Sequence, residues 1–260
     1  MAERDEYIIS AAARCLQILK LFDAEHREMT QTEIAARAGL TKSSCFRALV
    51  TLESEGFVEY IEKTKCYRLG TTILRLAYNS YVFSDLKDIA KEYLQAFATE
   101  FGVFSQLGVI NGDEVVIISR EVPEMPSDHF FMLVAPMGKG IPLHCTGLGK
   151  VLMAYAPDDV RESCLKNCQF EKYQENTITD RVHYDRVLEQ IRVDGYCITD
   201  REHEADIICM TFPIFNHRGE IVAAFSGTGR VERMKPEVYA VMRSRMARIS
   251  EEISHRLGRE

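Results

Sequence analysis

The chain of 260 residues has no run of 18 or more apolar residues, which excludes a bilayer-spanning helix. Its start, Met1-Ala-Glu-Arg-Asp-Glu6, is charged and lacks the apolar core of a signal peptide. A cytoplasmic protein with no membrane partner is the expectation. None of the eight cysteines forms a CxxC pair, which in a chain this long points to reduced, mostly buried thiols and not to a disulfide scaffold. Cys164 and Cys168, four apart, could share one helix face; two thiols alone do not complete a metal site, so packing is their expected role. Low-complexity segments and internal repeats are missing as well. The 32 basic residues are outnumbered by 39 acidic ones, and the net charge of -7 argues against a protein that coats nucleic acid along its whole surface. A local basic module remains compatible with it.

What is present is enough apolar residue, 46%, for one large or two modest cores. There is also one window without acids: between Glu33 and Glu53 the only charges are Arg37, Lys42 and Arg47. Thr30, with Glu33 three residues on, matches a capping box that satisfies free backbone donors at a helix start. Ile34, Ala35 and Ala38 supply a small apolar face, Gly39 can take the positive φ that ends the helix, and Leu40 buries the corner. Thr41 opens a second helix, with Cys45, Phe46, Leu49 and Leu52 on a packing side and Ser43, Ser44, Arg47 and Thr51 on an open one. Two short helices around a glycine also occur as ordinary core elements. The continuation favours a reader of DNA, because Val58, Tyr60, Tyr67 and Leu69 fit two short strands around Lys63-Thr64-Lys65. Helix, turn, helix, basic hairpin is the order of a winged helix-turn-helix. A solvated turn could use the same lysines.

Ala12, Cys15, Leu19 and Phe22 mark a supporting helix before this module. After it, Ile73, Leu74, Leu76, Ala77, Tyr78 and Tyr81 predict a helix apolar on more than one side, suited to packing against its twin in a dimer. A second domain is expected from about Asp85. Leu86, Ile89, Ala90, Tyr93, Leu94, Phe97 and Phe101 form an amphipathic helix that ends at Gly102. Strands are expected over 104–110 and 115–120, joined through Asn111-Gly112-Asp113, and again over 196–199, 207–215 and 221–226. Helices are expected over 148–155, 184–193 and 238–257. This mixed order predicts an α+β fold and not a doubly wound sheet.

The segments Ala12-Ala-Arg-Cys-Leu-Gln-Ile-Leu-Lys-Leu-Phe22, Leu40-Thr-Lys-Ser-Ser-Cys-Phe-Arg-Ala-Leu49 and Lys63-Thr-Lys-Cys-Tyr-Arg-Leu-Gly70 resemble the first helix, reading helix and wing of the IclR family of bacterial transcriptional regulators. Ile141-Pro-Leu-His-Cys-Thr-Gly-Leu-Gly-Lys150, Asn176-Thr-Ile-Thr-Asp180 and Cys209 through Pro213-Ile-Phe-Asn216 extend the resemblance to the C-terminus. It implies a winged helix-turn-helix domain (1–70), a linker helix (71–84) and a GAF-like effector-binding domain (85–260). It also implies dimers, often dimers of dimers, on a roughly palindromic operator in double-stranded DNA, with repression the commoner behaviour. The implied effector is a small organic acid such as a keto, sugar or aromatic acid. By position its contacts fall on Gly147, Leu148, Asp200, Cys209, Ser226 and Thr228. No catalytic residue, cofactor or metal is implied.

The residues themselves suit a small anion. Thr146 as N-cap leaves the backbone N–H groups of Gly147, Leu148 and Gly149 at the positive end of a helix dipole. Ser226 and Thr228 alternate on a strand, so both hydroxyls point one way. The same glycines could serve only close packing, the hydroxyls could satisfy neighbouring backbone, and Cys209 and His144 could be structural. Two positions depart from the family: Asp206 stands for the usual Gly and Arg230 for the usual Pro. Asp206, paired by Arg230 or Arg201, is expected to put an acceptor on the pocket rim that favours a hydroxylated ligand such as a sugar acid. On DNA, Ser43, Ser44 and Arg47 are expected in the groove, with Thr41, Lys42, Lys63, Lys65 and Arg68 on phosphate. The alternative reading is a thiol enzyme or redox sensor using Cys145 or Cys209, with His144, Asp200 and Glu202 nearby. Neighbours on a strand face opposite ways, so His144 should not activate Cys145.

Overall fold

A computed structural model describes residues 7–23, 25–78, 81–123 and 139–259. The chain divides into two compact units, Met1–Ser84 and Asp85–Glu260. The charged start Met1 to Glu6 and the side chains expected on the linker helix at Ala77, Tyr78 and Tyr81 lie outside the described residues.

The first unit contains α1 (Ser10–Leu19), β1 (Met29–Thr30), α2 (Gln31–Arg37), α3 (Lys42–Ser54), β2 (Val58–Ile61), β3 (Cys66–Leu69) and α4 (Thr71–Tyr78). The capping box forms: Thr30 accepts from the Glu33 N–H, and the Glu33 carboxylate accepts from the Thr30 N–H at 2.7 Å. Gly39 ends α2 at φ +64, and the Leu40 N–H returns to the Ala35 carbonyl at 2.9 Å. A left-handed residue there closes the free carbonyls of the last turn. The buried stripe of α3 is Cys45, Ala48, Leu49 and Leu52. Phe46 was expected on that side but is 50% exposed, because it lies about 100° around the helix from Cys45 and only the i, i+3, i+4, i+7 positions face the core. Ala12 is likewise exposed, and Ile18 carries the core contact of α1. Residues Met29 and Thr30 pair with Tyr67 and Cys66, giving a three-stranded sheet in the order β1-β3-β2. A two-residue strand is too short to show alternation in sequence.

The second unit runs through α5 (Tyr81–Phe101), β4 (Phe104–Asn111), β5 (Glu114–Glu121), β6 (Gly140–Pro142), α6 (Gly147–Tyr155), α7 (Asp158–Leu165), α8 (Arg181–Asp194), β7 (Cys197–Asp200), β8 (Ile207–Phe215), β9 (Ile221–Arg230) and α9 (Pro236–Arg256). Its strands form one antiparallel sheet in the order β6-β5-β4-β9-β8-β7. Alternation along the strands divides the core into two layers. Leu107, Met210, Phe212 and Phe225 pack with α5 and α9 on one face. Val115, Ile117 and Ala224 pack with α6, α7 and α8 on the other. Helix α7 ends at Leu165, so Cys168 lies beyond it and does not share a helix face with Cys164. Among the described residues no helix is long and apolar enough to cross a membrane.

Candidate functional site

In the first unit, Lys42, Ser43 and Arg47 are exposed on α3, with Ser44 half-buried beside them. Thr41 is the N-cap, its hydroxyl oxygen accepting from the Ser44 N–H at 3.2 Å. Arg14 of α1 adds a cation to this face that the sequence reading missed, its guanidinium donating to the Ser44 hydroxyl at 3.4 Å. The wing differs from a bare basic tip. Lys65, at φ +58, donates to Glu62 at 2.8 Å, and Arg68 pairs with its cross-strand neighbour Glu59 at 2.7 Å. The Glu62 hydrogen bond holds the Lys65 ammonium above the usual lysine value. With Lys63, three cations against two carboxylates leave this hairpin a formal charge of only +1. Exposed pairs of this kind are weak and exchangeable, so phosphate can replace the carboxylates.

In the second unit a cavity lies between the start of α6 and the sheet. Its floor is built from cross-strand rows on one sheet face. Gln106, Ser226 and Thr211 are register partners on β4, β9 and β8, with Thr211 covered by Gly147 and so not open to the cavity, and Thr228, Cys209 and Thr199 are partners on β9, β8 and β7. The hydroxyls are linked: Thr211 donates to Ser226 at 3.1 Å, Ser226 and Thr228 are 3.1 Å apart, and Thr228 donates to the Cys209 sulfur at 3.5 Å. The roof is the first turn of α6. Thr146 caps it, accepting from the Gly149 N–H at 3.1 Å, and Gly147 and Leu148 face the cavity. A Cβ on Gly147 would come within 2.4 Å of the Thr211 hydroxyl, so only glycine lets the helix start approach the floor this closely. One glycine therefore serves packing and exposes backbone donors together.

The wall supplies charge. Glu202 lines the cavity and is joined to Lys150 of α6, whose ammonium is 2.5 Å from both carboxylate oxygens. The side chains are 11% and 2% exposed. Burial raises the Glu202 pKa above the usual value and the ammonium opposes that rise. Behind Gln106, Arg120 donates to the amide oxygen at 2.9 and 3.2 Å, which turns the amide N–H groups away from the guanidinium. Gln106 and Thr199 were not among the sequence candidates, and Glu202 was named only beside the thiol alternative; the three come together only through strand register and a loop.

Of the expected effector contacts, Gly147, Leu148, Cys209, Ser226 and Thr228 line this cavity. Asp200 and Asp206 do not. Asp200 is one residue past Thr199 on β7, so alternation turns it to the other side, where it pairs with Arg201 at 2.6 Å. Asp206 is paired by Arg230 at 3.2 Å, as its charge required, but at the surface and not on the cavity wall. The thiols are poor nucleophiles: burial pushes Cys145 up to about 12 and also raises Cys209. The ring nitrogens of His144 meet the Glu171 carbonyl at 2.9 Å and the Cys168 sulfur at 3.7 Å, not Cys145. Among the described residues no group of three His, Cys, Asp or Glu could hold a metal.

Comparison with known proteins covers both units. The family described as bacterial transcriptional regulator IclR C-terminal matches residues 80–255, and the IclR helix-turn-helix domain matches residues 11–62. The transcriptional regulator BhcR of Paracoccus denitrificans is 32% identical over 247 residues, 95% of this chain and 86% of that one. The solved structure of an IclR transcriptional regulator from Alicyclobacillus acidocaldarius superposes with a TM-score of 0.82 at 25% identity, covering 97% of this chain and all of that one. An IclR homologue from Microbacterium hydrocarbonoxydans, solved in complex with 4-hydroxybenzoate, has a TM-score of 0.79 at 22% identity and covers 94% of this chain and 99% of its own. The chain belongs to the IclR family of bacterial transcriptional regulators, which bind DNA through the helix-turn-helix and are not enzymes.

Proposed function

We propose that the protein is a repressor whose hold on an operator is set by a small organic acid bound in the cavity under α6. The observation that carries this reading is the cavity itself, with the capped start of α6 above and the linked hydroxyls of Ser226 and Thr228 below. A carboxylate suits the positive end of the helix, and the hydroxyls can turn a proton out of their own chain towards it. The space open to the centre of a water-sized molecule is about 70 Å³, against roughly 10–15 Å³ for one water. That admits a few waters or one compact acid. Glu202, an acceptor held in place by Lys150, favours an acid that carries a hydroxyl as well, as a sugar acid does; a keto acid is the alternative. The acid bound by the Microbacterium homologue, 4-hydroxybenzoate, has both groups.

On this reading residues 1–70 read DNA, 71–84 link and 85–260 sense. A homodimer, itself able to pair into a dimer of dimers, sets two α3 helices into successive major grooves about 34 Å apart. Ser43, Ser44 and Arg47 read base edges, while Thr41, Lys42, Lys63, Lys65 and Arg68 hold phosphate. A bound protein overlapping a promoter excludes polymerase with no further contact, whereas activation needs an added surface. The acid acts only through unequal affinity for two arrangements of the dimer. Titration calorimetry with keto, sugar and hydroxybenzoic acids tests the pocket: binding should be lost in Ser226→Val/Thr228→Val. Equal binding by that variant would place the effector elsewhere. Transcription from the controlled promoter should rise when the protein is removed, and a fall would make it an activator.

A further inference from the structure

We propose that Cys168 is a peroxide-reactive thiol and that His144 is the base that takes its proton. The sulfur lies in the segment after α7 and is half-buried. It is 3.7 Å from Nδ1 of His144, whose Nε2 is 2.9 Å from the Glu171 carbonyl oxygen. A carbonyl can only accept, so Nε2 carries the hydrogen and, in the neutral ring, Nδ1 presents its lone pair to the thiol. Burial of the imidazole, 3% exposed, lowers its pKa and keeps it neutral near pH 7. A nucleophile, a base and a group that orients the base are thus assembled.

Other contacts favour sulfur as an anion. The Phe170 N–H donates to Cys168, and the Arg181 charge acts in the same direction. Phe170 holds a φ of +47, uncommon for a bulky residue, and its ring packs 5.4 Å from both His144 and Tyr184. Desolvation works against them and raises the resting thiol, so the base is required. Among the described residues no such base is bonded to Cys145 or Cys197, both pushed up to about 12 by burial.

In the reaction the thiol proton passes to Nδ1 and the sulfur electron pair attacks one oxygen of a hydroperoxide. The O–O bond breaks, the leaving oxygen takes the proton back from His144, and water or an alcohol departs. Sulfur is oxidised by two electrons to the sulfenic acid and the peroxide is reduced by two. His144 also packs 6.0 Å from Tyr173, which packs 4.8 Å from the cavity residue His203. A chain of ring contacts therefore links the Cys168–His144 pair to the cavity wall.

The test treats the full chain with hydrogen peroxide, traps sulfenic acid with dimedone and follows each cysteine by peptide mass spectrometry. Cys168 should be labelled at least roughly tenfold faster than Cys66 or Cys145. The wild-type rate should stay nearly level from pH 7 to 8, because the proton moves within the Cys168–His144 pair. The charges facing this pair are Arg181 and Asp113 on the sulfur side and Lys150, His203 and Glu171 on the ring side. In a folded His144→Gln variant the rate should instead climb roughly tenfold per pH unit with the thiolate fraction. Labelling of Cys168 no faster than Cys66, or a wild-type rate with that same slope, would overturn the proposal; neither outcome depends on the variant folding.

Discussion

In the first unit the wing cations stand in solvent beside exposed carboxylates, Lys65 with Glu62 and Arg68 with Glu59. In the second, Lys150 is almost wholly buried against Glu202 on the wall of a cavity. An exposed pair loses little when opened and can trade its carboxylate for phosphate. A buried pair has already lost its water and cannot be opened without leaving a bare charge. The first arrangement suits a surface that binds and releases a long polyanion. The second suits a fixed wall that sorts small molecules by where they carry donors.

The largest effect that would break this contrast is expected at Lys150. Lys150→Met should cost about 3–5 kcal/mol of stability by stranding Glu202, and Lys150→Met/Glu202→Gln should recover most of it, measured by denaturant unfolding. A loss no larger than that of an exposed lysine would remove the distinction. Next is Arg47→Ala, expected to weaken operator binding by about 1–3 kcal/mol and relax preference at one base pair if Arg47 is bidentate to guanine. Lys65→Ala should weaken all sequences evenly and lower the salt slope by about one. An even loss for Arg47→Ala would move it to phosphate.

A smaller effect is expected from acid. Burial lowers the pKa of His144 and His203 in the folded unit. The unfolded chain then takes up protons near the ordinary histidine value while the folded chain resists. Stability from these two groups is full above about pH 6.5 and declines as pH falls below it. The thermal midpoint of the sensing unit should drop from pH 7 to 5, and His203→Gln should flatten the drop. The smallest effect is Glu62→Gln, which should tighten DNA binding a few-fold at low salt while leaving the thermal midpoint unchanged. Unchanged DNA affinity would show that Lys65 does not approach phosphate.

The legible parts of the molecule were local ones. The Thr30–Glu33 capping box, Gly39, the hairpin around Lys63 and the Thr146 cap each depend on residues within a few positions of one another. The errors came from register and from long-range approach. Glu59 and Glu62 were in plain view, but their pairing with Arg68 and Lys65 needs the strand register and turn. Asp200 missed the cavity by one residue, which on a strand is a change of face. Gln106 reaches Ser226 across most of the second unit, and Glu202 reaches Lys150 across 52 positions. The His144–Cys168 contact crosses 24 positions; that His144 does not meet Cys145 agrees with the reading from sequence.

On the proposed function, address and timing occupy separate residues, α3 for one and the cavity for the other. Fluorescence anisotropy of the full chain on its selected duplex, titrated with small hydroxylated and keto acids, tests this separation most directly. The wild type should change its operator affinity with at least one acid, Ser226→Val/Thr228→Val should bind the duplex normally and ignore that acid, and Arg47→Ala should lose sequence preference. An acid response that survives in the Ser226→Val/Thr228→Val variant, or an operator preference that survives Arg47→Ala, would show that timing or address lies in other residues.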